Sequence, residues 1–267
     1  MKIRPAARAG QFYPATAQEI KKQISSFVDK EAVKKNVIAC MLPHAGYDYS
    51  GRVATQTLSR INIPDKIILL GPNHTGLGAP YSIMTEGLWQ TPLGEVKINS
   101  LLAKKILQGS KYLEDSSEAH AGEHCLEVEL PLLQYFKKDF EIVPIVFMSM
   151  DTEILKKIGA EIANAVKDEK SCLIIASSDM THFESQDQAE RKDKQAIEAI
   201  LELNEDKLIE RVERLDISMC GFGPAVAMIT AAKLLGAKRA ELIKYQTSAD
   251  TTGDKESVVG YAGITVE

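Results

Sequence analysis

The sequence predicts an α/β protein, a single domain over residues 1–267 with a mostly parallel or mixed central sheet and helices on both faces. Three observations predict it. Short runs rich in Ile, Val and Leu at 37–42, 66–70, 142–147 and 172–176 have the length of strands buried on both sides. Segments with helical spacing alternate with them. The apolar runs end in loops dense in Gly, Pro, Asn and Ser, and that is the edge where open α/β sheets collect ligands.

Taken in order, residues 1–16 read as irregular chain with Phe12 and Tyr13 as anchors. Residues 17–30 place Ile20, Ile24 and Phe27 on one helical face. The strand at 37–42 leads into Pro43-His44-Ala45-Gly46-Tyr47-Asp48-Tyr49-Ser50-Gly51, and a helix follows over 52–60. The strand at 66–70 ends in Gly71-Pro72-Asn73-His74-Thr75-Gly76. Residues 81–85 and 95–98 read as short strands around a turn that holds Trp89. A helix over 99–108 stops at Gly109. The stretch 119–130 carries His120 and His124, and its second half is placed on a helix that runs to Phe136. A strand at 142–147 and a helix at 152–166, capped by Asp151 or Thr152, come next. The strand at 172–176 opens into Ser177-Ser178-Asp179-Met180-Thr181-His182. Helices at 188–203 and 205–214 precede Cys220, which opens an apolar helix to Leu235. Strands at 241–245 and 258–266, joined by a polar loop over 247–254, close the chain.

Composition narrows the classes. A net charge of −5 with scattered lysines and arginines gives no footprint for nucleic acid. The first residues lack an apolar signal core, and no run is long enough to span a bilayer, so a cytoplasmic protein with no membrane contact is expected. The four cysteines form no CxxC pair and read as reduced thiols.

The histidines carry the strongest chemical signal. All five, His44, His74, His120, His124 and His182, fall in loops or at helix starts, and three of them, His44, His74 and His182, follow a strand run within a few residues. Imidazole serves as metal ligand and as general base, and position alone does not separate the two. Asp179, three residues before His182, reads either as the partner that fixes a ring tautomer or as a helix cap. His120 and His124, four apart, read as a metal pair or as flanks of a substrate pocket. Cys220 sits at a helix N-terminus, a setting that lowers a thiol pKa and suits a ligand or a nucleophile; a small buried thiol is the plain alternative.

Several motifs in fixed order carry a resemblance. Ala9-Gly10-Gln11-Phe12-Tyr13-Pro14, Pro43-His44-Ala45-Gly46-Tyr47, Gly71-Pro72-Asn73-His74, Glu123-His124 with Glu127, Ser178-Asp179-Met180-Thr181-His182 and Tyr245-Gln246-Thr247-Ser248 resemble the Memo family, called AmmeMemoRadiSam system protein B in microbes. The resemblance implies the fold of class III extradiol (LigB-type) dioxygenases, which hold non-haem iron with two histidines and a glutamate. It implies His44, His74 and Cys220 as metal ligands, with cysteine in place of the glutamate. It implies His182, aided by Asp179, and His124 as catalytic groups, and Tyr47, Asn73 and His120 as lining of a substrate cleft. The softer donor set favours iron or copper and also admits zinc. A non-haem metal-dependent oxidoreductase is therefore the leading expectation, acting on a small-molecule or peptide ligand, with radical SAM and AMMECR1-type proteins as system partners. The rivals are a non-catalytic metal- or peptide-binding module and a metal-free hydrolase with Cys220 as nucleophile and His182 as base.

Overall fold

The computed structural model describes residues 2–169 and 171–267. The chain opens with β1 (Ile3–Arg4) and α1 (Ala17–Phe27), whose N-cap Thr16 accepts the Glu19 N–H. Then come β2 (Ala39–Leu42), α2 (Gly51–Leu58), β3 (Lys66–Pro72), β4 (Tyr81–Ile83), β5 (Leu88–Thr91), β6 (Gly94–Ile98) and α3 (Ser100–Gly109). β7 (Glu114–Asp115), α4 (Glu118–Ala121) and α5 (Glu129–Phe136) precede β8 (Glu141–Phe147), α6 (Thr152–Val166), β9 (Leu173–Ser177), β10 (His182–Glu184) and α7 (Gln186–Leu201). The last elements are α8 (Glu205–Leu215), α9 (Phe222–Leu234), β11 (Ala240–Thr247), α10 (Ala249–Thr252) and β12 (Val258–Val266). Short polar side chains start the helices: Asn99, Asp151 and Asn204 cap α3, α6 and α8 by accepting an N–H three residues on.

Among the described residues the strands join one mixed sheet in the order β1-β5-β6-β8-β3-β9-β2-β12-β10. β6, β8, β3, β9 and β2 run parallel, and β12 returns antiparallel to β2. The parallel strands are apolar throughout because both faces are covered; Ala39 to Leu42 and Ile67 to Leu70 are fully buried. α9 lies across β2, β3, β8 and β9 and packs on α6, and every residue from Phe222 to Ile229 is buried. α2 and α7 sit on opposite faces of β12. A Cβ on Gly260 would meet Asp193 of α7, and one on Gly263, three residues along, would meet Thr57 of α2. The protein is thus an α/β sandwich of the predicted class, with helices on both sides of a mixed sheet.

The parallel register sets the site. Leu42 pairs with Ser177, Leu70 with Ala176, and Pro72 with Phe147. The carboxyl ends of four neighbouring strands therefore share one edge, and the loops after them meet there. No helix among the described residues is long and apolar enough to cross a membrane.

Four local expectations differ from the structure. Trp89 lies inside β5, paired with Val96, and is not in a turn. His182 belongs to a strand, because β12 supplies it with an edge partner from far along the chain. The loop at 247–254 contains the single turn α10. The helix to Phe136 begins only at Glu129, so His124 and Cys125 lie in the loop before it.

Candidate metal centre

His44 lies just beyond β2. Its backbone N–H donates to Asp179 Oδ1 at 2.9 Å, and the Ala45 N–H reaches the same oxygen at 3.3 Å. Its ring is 1% exposed, with Nδ1 2.9 Å from Ser177 Oγ. His74 lies just beyond β3, and its N–H donates to Glu123 Oε2 at 2.5 Å. Its Nδ1 is 2.9 Å from Glu123 Oε1. His124 comes from the loop before α5. Its Nδ1 is 3.2 Å from Glu123 Oε1, and its ring stacks on His74 and packs on Phe12, both at 4.5 Å between centroids. Gly71 admits this loop: a Cβ there would stand 2.5 Å from Cys125 Sγ.

One ring nitrogen from each of His44, His74 and His124 lies within 4.8 Å of the other two. Nδ1 of His44 and of His74 is hydrogen-bonded, and Nδ1 of His124 faces Glu123, so the Nε2 atoms are the ones left for a shared ligand. Cys220, in the turn before α9, places Sγ 3.3 Å from His44 Nε2. The chemistry of this donor set fits a metal ion. Burial first, then the charge of His74, lowers His44 to about 3. Burial and the charge of His44 lower His124 to about 4. Both rings are neutral at pH 7, the state that ligates a metal. Burial works to raise the Glu123 carboxyl. The hydrogen bond and charge of His74, with the Cys125 N–H and the charge of His124, outweigh it and hold that carboxyl well below its usual range.

Other expected residues have different settings. The expectation of a lowered thiol pKa at Cys220 is corrected: burial, with the Asp179 charge behind it, pushes the thiol up and outweighs the N–H groups of Asp179 and Gly221. His182 is fixed by Ser218, not by Asp179; its Nδ1 is 2.8 Å from the Ser218 carbonyl and its N–H donates to Ser218 Oγ. Asp179 is spent on the His44 loop, and burial raises its pKa. Of the three cleft residues, His120 and Tyr47 are buried, and Asn73 shapes the loop that carries His74. His120 is fully buried, its ring 5.8 Å from that of Trp89, and burial lowers it to about 3. Tyr47 is 2% exposed and donates to the Val128 carbonyl at 2.8 Å. Asn73 closes its own loop, accepting from Thr75 and Gly76 and donating to the Leu77 carbonyl.

Sequence reasoning left Glu123 without a role and passed over Ser177. Glu123 stands next to His124 and could have been paired with it on that ground. Ser177 reads only as the end of an apolar run.

Comparison with known proteins adds the following. A family model described as Memo-like protein matches residues 4–265. A MEMO1 family protein of Methanopyrus kandleri is 42% identical, with 98% of each chain covered. Another, from Methanosarcina barkeri, is 44% identical over 99% of this chain and 100% of its own. Among solved structures, an uncharacterized protein from Escherichia coli K12 superposes with a TM-score of 0.59 over 86% of this chain and 99% of that one. At 12% identity that likeness is one of fold.

Proposed function

The chain belongs to the Memo family, and from that premise we propose that it is a metal-binding protein with a redox role, its ion held by His44, His74 and His124 with Cys220 as fourth donor once metal binding displaces the thiol proton. The observation that carries this is the meeting of three imidazoles, with Nδ1 of His44 and of His74 hydrogen-bonded elsewhere and Nδ1 of His124 turned to Glu123 at 3.2 Å. Nitrogen with thiolate sulfur favours iron or copper over the hard divalent ions. When bound, such a metal supplies a Lewis acid and a one-electron couple.

The remaining work falls to the chain itself. Glu123 orients His74 and His124 together. Asp179 fixes the backbone of His44 and Ala45. His182 gives Nδ1–H to the Ser218 carbonyl and keeps Nε2 open, so it is the group assigned to move a proton.

The test is elemental analysis of purified wild type and of His44→Ala, His74→Ala and Cys220→Ala, with turnover assays on catechols and general redox substrates. We expect bound iron or copper in the wild type and its loss from all three variants. Full metal retention in His44→Ala and Cys220→Ala would overturn the site. Metal uptake without turnover would keep the site and replace the redox role by a binding one.

A further inference from the structure

Behind His44 lies a buried polar cluster that the metal ligands do not use. Ser177, the last residue of β9, is fully buried. Its Oγ stands 2.9 Å from each of three atoms: His44 Nδ1, the Cys125 carbonyl oxygen and Glu129 Oε1. Glu129, the first residue of α5, is also fully buried, and its Oε2 has no partner. No cation is paired with it among the described residues.

A hydroxyl has one proton to give and two lone pairs to receive with. Three neighbours fill that capacity. The Cys125 carbonyl can only accept, so it takes the Ser177 proton. His44 Nδ1 and Glu129 Oε1 must then both donate. Any other placement sets two lone pairs face to face at 2.9 Å. We propose that Glu129 is carried as an un-ionised carboxylic acid, and that it and Ser177 together hold His44 in the tautomer that turns Nε2 towards the metal. Both are positioning residues, since neither reaches the centre.

The surroundings agree. Burial raises the Glu129 carboxyl well above its usual range; the Ser177 hydrogen bond works against that, and the nearby Asp179 charge adds to it. The N-terminus of α5 pulls the other way. A helix end is worth less than the desolvation of a buried carboxylate, so the neutral acid wins. An orphaned carbonyl-like Oε2 is also far less costly than an orphaned ionic one.

This rests on the reading of the site as a metal centre, so the test separates the two. In metal-free protein, long-range 1H–15N correlation reads which nitrogen of His44 carries the proton. Infrared difference spectra at neutral pH read the protonated carboxyl, with Glu129→Gln as the subtraction partner. We expect Nδ1–H on His44 and a protonated-carboxyl band that disappears in Glu129→Gln. Titration with Zn2+ alone should show Ser177→Ala about 10–100-fold weaker. Glu129→Gln, which keeps a neutral donor, should bind Zn2+ as the wild type does. An Nε2–H tautomer in the wild type, an absent carboxyl band, or a loss of Zn2+ affinity in Glu129→Gln would each overturn the proposal. If the wild type takes up no Zn2+, the metal reading falls, and the two metal-free measurements still decide the state of Glu129 and His44.

Discussion

Glu123 shows what a single side chain does at this site. Its Oε1 accepts the N–H groups of His124 and Cys125 at 2.8 and 3.0 Å and faces Nδ1 of His74, while its Oε2 accepts the His74 N–H. Two loops converge on this one carboxylate. Glu123→Gln turns one acceptor oxygen into a donor that opposes those N–H groups. We expect stability to fall by about 1–3 kcal/mol and Zn2+ affinity by about 10–100-fold, read by denaturant midpoints and by titration. Unchanged affinity would mean that the imidazoles are oriented by packing alone. Phe183 presents the opposite case. It is 77% exposed, lies beside His182 and has φ of 59°, the left-handed region that costs an L-residue about 1–2 kcal/mol. Glycine removes that cost and brings an entropic penalty of about 0.5–1 kcal/mol. Phe183→Gly should therefore leave the unfolding midpoint level or raise it slightly. A clear drop would show that the ring buries surface in solution. Beyond the adjacency of Glu123 and His124, none of this was readable from sequence. His74, which the Glu123 carboxylate holds, lies 49 residues away, and no local rule assigns a bulky aromatic to positive φ.

At the level of elements, the sequence was most legible where one physical signal dominated. The helix α6 was placed at its full length, since an aspartate cap precedes an unbroken amphipathic run. β12 was likewise found end to end as a continuous apolar segment. β10 and β1 were missed because a two- or three-residue strand has no periodicity of its own and is defined by its partner. That matters at β1. Arg4 donates from Nε to the His120 carbonyl at 2.7 Å and from Nη2 to the Glu123 carbonyl at 2.6 Å. It pairs with Glu127 at 2.6 Å and lies 4.1 Å from the centroid of Trp89. Glu127 in turn accepts from Ala7, Arg8 and Tyr13. The first strand and the turn after it thus latch the loop that presents Glu123 and His124. Arg4→Met leaves Glu127 buried without its cation, and one-sided loss of a buried pair costs about 3–5 kcal/mol. The double variant Arg4→Met/Glu127→Leu should recover part of that loss, as a thermodynamic cycle would show. If the double variant is no better than the single, the latch acts through the carbonyl contacts of Arg4 rather than through the pair.

At the scale of the whole molecule, β12 is the strand on which both helical layers close, and glycine permits the approach on each side. A Cβ at Gly263 would stand 1.9 Å from Thr57 Oγ1 on α2, and one at Gly260 would stand 1.9 Å from Asp193 Oδ2 on α7. The two contacts are chemically alike and functionally unlike. Gly260 accepts the Met180 N–H and donates to the Thr181 carbonyl, so it holds the segment between Asp179 and His182. Asp193 serves the same segment, with Oδ1 accepting the Thr181 N–H at 2.9 Å and Oδ2 accepting the Tyr245 hydroxyl at 2.7 Å. Gly263 touches only the α2 layer. Overpacking at either position should cost about 1–3 kcal/mol. The consequences at the metal centre should separate. Gly263→Ala should lower the melting temperature and leave Zn2+ affinity unchanged, because its sharpest strain falls on Thr57 in the last turn of α2, the end of that helix away from the His44 loop. Gly260→Ala should lower both, because the displaced segment carries Asp179, the anchor of the His44 backbone. Calorimetry and Zn2+ titration on the same two variants decide the matter: equal loss of affinity in both would show that the centre responds to global stability, and the layered independence argued from the sheet would be wrong.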